Sequence, residues 1–354
     1  MDNKILVVFT GGTIGSGATD GNISPDRNAK YVLLQKYKQI TGEDLSRFET
    51  CEPMYILSEN AVLDDVQQMV KVIKERQNDG FKGIILTHGT DTLAYSCAYL
   101  GLMLSDVKVP VVMVSSNLTL SEPKANGVAN FIGAVKLIDA NVRPNVYVSY
   151  RNPGDNFTSI HLGTRMGIPP HYSDSFYSPE GKRFAVIKNG VITPENIRVE
   201  KCRQLFPISG KFTKKCLYIE PFTGLDYNVY ENSQFDYVLH SLYHSGTANT
   251  RKNENYNQNS LLAFAEYCKN NNKPLYLCNI KKKDINYDST NKLKEQGVEF
   301  IYDVLPNVAL AKINIAYNLI DEKLIDDYLK SNINGEVLQG DWSKDPLCDD
   351  EIKR

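Results

Sequence analysis

Long apolar runs are missing from this sequence of 354 residues, and the apolar stretches that occur are short, such as residues 5–9 and 84–86. Without a run of about eighteen apolar residues, no transmembrane helix is expected. An excess of charge is missing too, since 40 basic and 42 acidic residues give a formal net charge of −2. Apart from three consecutive lysines at 281–283 there is no basic block. We therefore expect neither membrane nor nucleic-acid binding.

Cysteines at metal-ligand spacing are also missing. The seven cysteines are odd in number and include no C-x-x-C pair. This pattern argues against a disulfide framework and against a zinc ribbon. The chain opens on a strand-like run instead of a long apolar segment with a cleavage site. We expect a cytoplasmic protein with reduced thiols and no bound metal.

What the sequence does contain is an alternation of strand and helix patterns. Apolar β-branched runs predict strands, and apolar residues at helical spacing predict helices, the first of them capped by Asn60. The predicted strands cover residues 4–9, 83–87, 109–114 and 146–149, and the predicted helices cover residues 61–78, 93–104 and 127–138. This alternation predicts an α/β fold with a large, doubly wound and mostly parallel sheet in the N-terminal part.

The pattern changes after this first alternation. Residues 151–194 are rich in Gly, Pro, Tyr and Ser, which predicts short strands and loops. A second alternation follows, with predicted strands at residues 216–219, 237–240 and 275–279 and predicted helices at 261–269 and 307–318. We therefore expect an N-terminal domain over residues 1–200, a linker over 201–214 and a smaller C-terminal α/β domain over 215–354.

Two polar motifs directly follow predicted strands. The first is TGGTIG at residues 10–15, and the second is THGTDT at residues 87–92. In open α/β sheets, ligands bind beyond the carboxyl ends of the parallel strands. The first motif alone also fits a tight turn or a phosphate loop, although it matches neither standard phosphate-loop pattern. The second is more informative, because hydroxyl and carboxyl groups are costly to place at a strand end without a partner.

Taken together, the two motifs resemble the bacterial-type L-asparaginase family, whose signatures are TGGTI and HGTDT. The resemblance covers most of the chain, including the segment PVVMVSSNLTL, and is closer to the cytoplasmic branch than to the secreted one. It implies a two-domain α/β fold and hydrolysis of a small-molecule amide. It also implies that no metal or organic cofactor is needed, and that the chain forms a homodimer or homotetramer.

The resemblance also assigns roles to individual residues. It implies that Thr13 is the nucleophile, which forms an acyl-enzyme, and that Thr90 and Asp91 handle protons together with a distant lysine. The best match to that lysine here is Arg165, which follows Thr164. The implied substrate-binding residues are Gly12, Ser58, Glu59, Gly89 and Ser116.

Several of these residues also have structural interpretations. Ser58 could simply begin a helix, Thr90 could cap one, and Asp91 could stabilise a helix N-terminus. The neighbouring His88 is better explained as a packed strand-end residue than as a catalyst. An acidic group at position 91 would suit the α-ammonium of an amino-acid substrate.

The sequence departs from the family pattern at several places. Arg165 stays protonated and cannot act as a general base, which leaves Lys124 as a weaker substitute. No tyrosine occurs between the first motif and Tyr31, where the family has one in a mobile loop. Glu59 adds a carboxylate to the pocket, and Asn126 stands where an aspartate is common.

Two functions remain open. The first is an amidohydrolase that converts L-asparagine or a related amide to a carboxylate and ammonia. The alternative is a ligand-binding or regulatory protein of the same fold with reduced or lost catalysis. A nucleotide-binding domain is disfavoured, because neither a phosphate-contacting lysine nor a ribose-binding acid occurs at the right spacing.

Overall fold

The computed structural model describes residues 3–12, 14, 16–19, 22–25, 29–195, 206–282 and 286–338. The chain divides into two compact units. The first holds the described residues before Phe206 together with Ile333–Gly335, and the second runs from Phe206 to Asn332 and continues from Glu336. Within the described residues, no helix is long and apolar enough to cross a membrane.

The first unit is built on an eight-stranded sheet. Its strands are β1 (Ile5–Val8), β4 (Phe48–Cys51), β5 (Gly83–Thr87), β6 (Val111–Val114), β7 (Val146–Tyr150), β8 (Thr158–Leu162), β9 (Ala185–Lys188) and β10 (Val191–Pro194). They lie in the order β10-β9-β8-β7-β6-β5-β1-β4. The strands from β4 to β7 in this order are parallel, and β8, β9 and β10 extend the sheet in antiparallel fashion. The predicted mostly parallel α/β sheet is confirmed.

The parallel strands are apolar along their whole length because both faces of the sheet are covered. The helices of this unit are α1 (Ala29–Thr41), α2 (Leu63–Arg76), α3 (Leu93–Met103) and α4 (Gly127–Asp139). Helix α1 packs on α4, and α2 packs on α3. From β1 the chain passes to β4 on one side of the sheet and then to β5 on the other. Strands β1 and β5 therefore flank the topological switch point, where open α/β sheets bind ligands.

A short hairpin, β2 (Ser16–Thr19) and β3 (Asn22–Pro25), follows β1 in the chain. At the far edge of the large sheet, β9 and β10 are joined by the two residues Asn189 and Gly190. Both have positive φ, at 51° and 78°. Asn-Gly is the pair that a tight hairpin turn of this geometry prefers. The short strands expected between residues 151 and 194 are therefore antiparallel, and the last two form a hairpin.

The start of α2 differs from the prediction. The helix begins at Leu63 rather than at residue 61, and Val62 is its N-cap residue. The backbone N–H of Val62 donates to Asp65 Oδ2 at 2.9 Å. An acidic side chain in the first turn therefore provides the hydrogen-bond acceptor for the N-cap N–H group. Asn60 lies one turn earlier, in the 3₁₀ turn Ser58–Asn60. The predicted capping role of Asn60 is therefore wrong.

The second unit holds a smaller parallel sheet, as predicted. Its strands β11 (Cys216–Ile219), β12 (Tyr237–Ser241), β13 (Leu275–Ile280) and β14 (Glu299–Tyr302) lie side by side in chain order. The helices are α5 (Leu261–Asn270), α6 (Asp288–Glu295), α7 (Pro306–Leu319) and α8 (Ile325–Lys330). This unit starts at Phe206, before the predicted boundary at residue 215.

The segment Ile333–Gly335 belongs to the first unit through a set of polar contacts. The side-chain amides of Asn334 and Asn145 exchange two hydrogen bonds of 2.9 Å. Asn334 Nδ2 also donates to the carbonyl of Gly101 at 2.7 Å. Thr164 Oγ1 donates to the carbonyl of Asn334 at 2.8 Å. These groups are buried, so each bond satisfies a polar atom that water does not reach.

A charged network joins α4 to the segment that precedes β4. The Arg47 guanidinium donates to both Asp139 oxygens, at 3.2 and 2.6 Å, and Lys82 Nζ lies 3.3 Å from Asp139 Oδ1. Burial raises the pKa of the Asp139 carboxyl, but the hydrogen bonds and charges of Arg47 and Lys82 outweigh it. The pKa of Asp139 is therefore held below its ordinary value.

This network predicts how stability depends on pH. A carboxyl group whose pKa is lower in the folded protein stabilises the fold at pH values above its unfolded-state pKa. That contribution is lost as the pH falls through its folded-state pKa. Asp139→Asn should therefore destabilise the protein by about 1–2 kcal/mol at pH 7, with the difference from wild type shrinking as the pH falls below about 4. Urea unfolding across this range measures it. The control is Glu266→Gln, in the exposed pair with Lys252. A difference of equal size at pH 7 and pH 3 would contradict the assignment.

Candidate functional site

The two motifs meet at the carboxyl ends of β1 and β5. Thr10 and Thr87, the first residues of the two motifs, form a reciprocal pair. Thr87 Oγ1 accepts from the backbone N–H of Thr10 at 3.2 Å, and Thr10 Oγ1 donates to the carbonyl of Thr87 at 2.6 Å. Both side chains are buried. The pair holds the two strand ends together, so the loops that follow them start side by side.

Gly12 and Gly89 bring the two loops into direct backbone contact. Gly12 has φ = +78°, and a Cβ there would lie 2.3 Å from the backbone nitrogen of Gly89. The N–H of Gly12 donates to the carbonyl of Ile56 at 3.1 Å, which adds the segment before Ser58 to this junction. Only glycine fits this position, because both the backbone conformation and the available space exclude a side chain. Thr13, the predicted nucleophile, lies outside the described residues.

Ser58 and Asp91 complete the junction. Ser58 is buried in a 3₁₀ turn, and its side chain lies against Gly89, where a Cβ would come within 2.3 Å of Ser58 Oγ. Ser58 Oγ donates to Asp91 Oδ2 at 3.3 Å. The structure therefore brings together four predicted site residues, Gly12, Ser58, Gly89 and Asp91, from three separate segments of the chain. Ser58 is more than a helix-start residue, since its hydroxyl reaches across to the second motif.

The junction is open to solvent on the side of the acidic residues. Asp91 and Glu59 are exposed, and Thr90 is half-buried. Among the described residues, no lysine or arginine side chain forms an ion pair with Asp91. An exposed carboxylate with this local geometry can hold a cationic group of a ligand through a charge-assisted hydrogen bond. Helix α3 starts just after it, and its N-cap residue is Thr92 rather than Thr90.

His88 lies beneath the junction as a packed residue. It is buried, and its Nδ1 lies 2.8 Å from the carbonyl of Gly89, which can only accept, so Nδ1 carries the proton. Burial lowers the pKa of His88, while the Gly89 carbonyl and the Asp91 charge act in the opposite direction. The net shift is downward, which keeps the ring neutral near pH 7. This environment agrees with a structural role for His88.

Ser116 lies at the same edge of the sheet, just beyond β6, but its hydroxyl is engaged in the local loop. Ser116 Oγ donates to the carbonyl of Leu118 at 2.5 Å and accepts from the N–H of Gly127 at 3.1 Å. The side chain thus joins the loop after β6 to the start of α4. The hydroxyl proton and one of the two oxygen lone pairs of Ser116 thus already have protein partners, and a substrate-binding role of its backbone stays a prediction.

Asn126 closes the same loop. Its Oδ1 accepts from the N–H of Asn117 at 2.9 Å, and Asn117 Oδ1 accepts from the N–H of Asn126 at 3.1 Å. Asn126 Nδ2 donates to the carbonyl of Arg151 at 2.8 Å. An aspartate could not make this last bond, because an ionised carboxylate only accepts. The amide at this position is therefore explained by its contact with the end of β7.

Arg165 does not lie with the motifs, which corrects the sequence-based assignment. Strand β8 is antiparallel to β7, and its last residue, Leu162, pairs with Tyr147 near the start of β7. Arg165 follows in the 3₁₀ turn Gly163–Arg165, at the edge of the sheet opposite the carboxyl ends of the parallel strands. With about 3.3 Å per residue along β7, the two edges are about 13–16 Å apart. Arg165 is buried there, and its Nε donates to the carbonyl of Gly335.

Lys124, the weaker substitute, is at the correct edge. It is exposed on the turn between β6 and α4. In the described part of the chain, no group of three or more His, Cys, Asp or Glu side chains is placed to hold a metal ion.

Sequence reasoning missed Thr92, whose hydroxyl donates to the carbonyl of Ser58 at 2.9 Å. Its position in the THGTDT motif was the available signal.

Comparison with protein families and curated proteins relates the chain to known proteins. The family model described as Asparaginase, N-terminal matches residues 4–196. The chain is 32% identical over 170 residues to a glutamyl-tRNA(Gln) amidotransferase subunit of Methanosarcina acetivorans, a match that covers 46% of this chain and 38% of that protein. In this match the chain therefore spans about two fifths of the relative's length. It is 24% identical over 355 residues to the corresponding amidotransferase subunit of Saccharolobus solfataricus, covering 95% of this chain and 76% of that protein.

Solved structures resemble the chain over nearly its whole length. The thermostable L-asparaginase from Thermococcus kodakarensis has a TM-score of 0.74 at 22% identity, covering 95% of this chain and 100% of that one. L-asparaginase I from Vibrio cholerae also has a TM-score of 0.74, at 21% identity, covering 96% of this chain and 100% of that one. At these identities the likeness concerns the fold.

Proposed function

The chain belongs to the asparaginase family, and from this premise we propose that it hydrolyses the side-chain amide of L-asparagine or a related small amide to a carboxylate and ammonia. The observation that carries the proposal is the meeting of Gly12, Ser58, Gly89 and Asp91 at the switch point of the large sheet. Three distant segments there present a carboxylate beside side-chain-free backbone, the combination that a small polar amide needs.

The proposed reaction proceeds in two steps. Thr13 Oγ attacks the amide carbon, the hydroxyl proton passes to the leaving nitrogen, and the carbon–nitrogen bond breaks, so that ammonia departs and an acyl-enzyme ester remains. Water then hydrolyses the ester, which releases the carboxylate and restores the Thr13 hydroxyl. Asp91 and Ser58 bind the α-ammonium of the substrate, and Thr90 assists proton transfer. Glu59, Gly12, Gly89 and the backbone at Ser116 shape the pocket. Arg165 has no direct role in this scheme.

The test is ammonia release from L-asparagine, D-asparagine and L-glutamine. L-glutamine is included because the similar curated proteins are named as glutamyl-tRNA(Gln) amidotransferase subunits. We expect release from at least one amide, reduced by about 10³-fold or more in Thr13→Ala. Arg165→Gln serves as the comparison and should keep its kcat/KM within about threefold, because it changes the opposite edge of the sheet. Equal loss in both variants would contradict the proposed roles.

The second candidate is a ligand-binding or regulatory protein with reduced or lost catalysis. One observation favours it: Arg165, which matches the family's lysine in the sequence, lies away from Asp91. Among the described side chains that contact the motifs, none therefore takes the place of that lysine. Folded wild type that releases no ammonia, but whose melting temperature rises with L-aspartate or L-asparagine, would support this candidate over the enzyme.

The proposal includes an assembly and a location. By family resemblance we expect a homodimer or homotetramer acting in the cytoplasm on a free small molecule. The mass in solution, measured by light scattering, tests the assembly. A monomer at micromolar concentration with full amidase activity would contradict it.

A further inference from the structure

Thr92 occupies the N-cap position of α3, yet its side chain does not cap the helix. At this position a threonine oxygen ordinarily accepts from a backbone N–H in the first turn. Here no such side-chain bond forms. The hydroxyl instead donates to the carbonyl of Ser58 at 2.9 Å, across 34 positions of the sequence. The orientation of Thr92 therefore serves a long-range contact rather than the helix it precedes.

Two adjacent residues thereby bind Ser58 from two directions. Asp91 accepts the Ser58 hydroxyl at 3.3 Å, and Thr92 donates to the Ser58 carbonyl. Together with the peptide bond between Asp91 and Thr92, these contacts close a ring. The Ser58 carbonyl also accepts from the N–H of Ala61 at 3.1 Å, which fixes the 3₁₀ turn itself but does not connect it to the motif. Of these contacts, the one from Thr92 ties the Ser58 backbone directly to the residue that follows Asp91.

Resting on the proposed function, we propose that Thr92 is a positioning residue that holds Ser58 in register with Asp91 and so determines the affinity for the substrate's ammonium group. The Ser58 hydroxyl reaches Asp91 near the long limit of hydrogen bonding, so a small displacement of the Ser58 backbone breaks the contact. Thr92 is half-buried and contributes no group to bond making or breaking. Its effect should therefore appear in KM rather than in kcat.

The test compares three variants. Thr92→Val keeps the shape of the side chain and removes the hydroxyl, and Thr92→Ser keeps the hydroxyl. Thr164→Val is the matched control, because Thr164 Oγ1 also makes a long-range bond to a carbonyl, that of Asn334, at the opposite edge of the same sheet. Crystal structures of all three give the distance from Ser58 Oγ to Asp91 Oδ2. Ammonia release gives KM and kcat.

We expect the Ser58–Asp91 distance to exceed 3.5 Å in Thr92→Val alone, with KM raised about tenfold and kcat changed less than twofold. Thr92→Ser should behave as wild type. An unchanged distance in Thr92→Val, or an equal rise of KM in Thr164→Val, would overturn the proposal. If wild type hydrolyses no amide, the proposed function fails, and the crystallographic distance still decides the role of Thr92.

Discussion

Gly12→Ala is expected to lower kcat/KM by about 10³-fold or more and to destabilise the first unit. A Cβ at this position would lie 2.3 Å from the nitrogen of Gly89 and 2.6 Å from the carbonyl carbon of His88. Both are backbone atoms at the end of a buried strand, so neither can turn aside as a side chain would. The loops would have to separate, which moves Gly12 and the segment bound to it through Ile56 away from Gly89 and Asp91. Ammonia release and thermal unfolding measure the two effects.

The matched control separates collision from backbone strain. Gly80 has a similar φ of +83°, but no atom lies within 4 Å of the position that its Cβ would take. Gly80→Ala should cost about 1 kcal/mol through its conformation alone and leave kcat/KM unchanged. If Gly12→Ala were as active as Gly80→Ala, the close packing of the two motifs would not be needed for activity.

Lys312→Met is expected to lower the free energy of unfolding by about 3–5 kcal/mol. The ammonium of Lys312 lies 2.7 Å from Glu336 Oε1, and the two side chains are 1% and 0% exposed. Lys312 Nζ also donates to the carbonyl of Ser331. The loss is large because the variant keeps the Glu336 carboxylate in a site that water does not reach, without the ammonium. Urea unfolding followed by circular dichroism measures the change.

Two further variants test this explanation. Lys312→Met/Glu336→Met removes both charges and should recover most of the loss, because the buried charge that has lost Lys312 is what destabilises the single variant. Lys330→Met, in the pair with Asp326 where both side chains are 65% exposed, should change stability by less than about 1 kcal/mol. A double variant as unstable as Lys312→Met would show that the space filled by the lysine stem matters more than its charge.

The elements that the sequence predicted best are the strands that are buried on both faces. Strands β1, β5, β6 and β7 are buried on both faces, so their apolar runs are continuous and unambiguous. Helix α1 was not predicted, because Tyr31 and Ile40 are exposed on it and blur the spacing of its buried residues, Leu33 and Tyr37. The edge strand β4 was missed because none of its residues is buried, so its sequence has no apolar run.

The candidate site could be predicted where it depends on the ends of parallel strands. It could not be predicted where it depends on whether a strand runs parallel or antiparallel to its neighbours. Residues that directly follow parallel strands share one edge of the sheet, which is why the motifs that contain Gly12 and Gly89 could both be placed at the ligand-binding edge from the sequence. Arg165 was misplaced because it follows β8, and nothing in the local sequence indicates that this strand runs antiparallel and ends at the opposite edge. The bond from Thr92 to Ser58 joins residues that no local pattern relates.

The return of Ile333–Gly335 to the first unit bears on the order in which the protein can fold during synthesis. The amides of Asn145 and Asn334 satisfy each other inside this unit, and Arg165 binds the carbonyl of Gly335. A nascent chain that has emerged only as far as the second unit still lacks Asn334 and Gly335, and therefore the bonds that these two residues make to Asn145 and Arg165. The unit that carries the site can therefore reach its native packing only after residue 335 has left the ribosome.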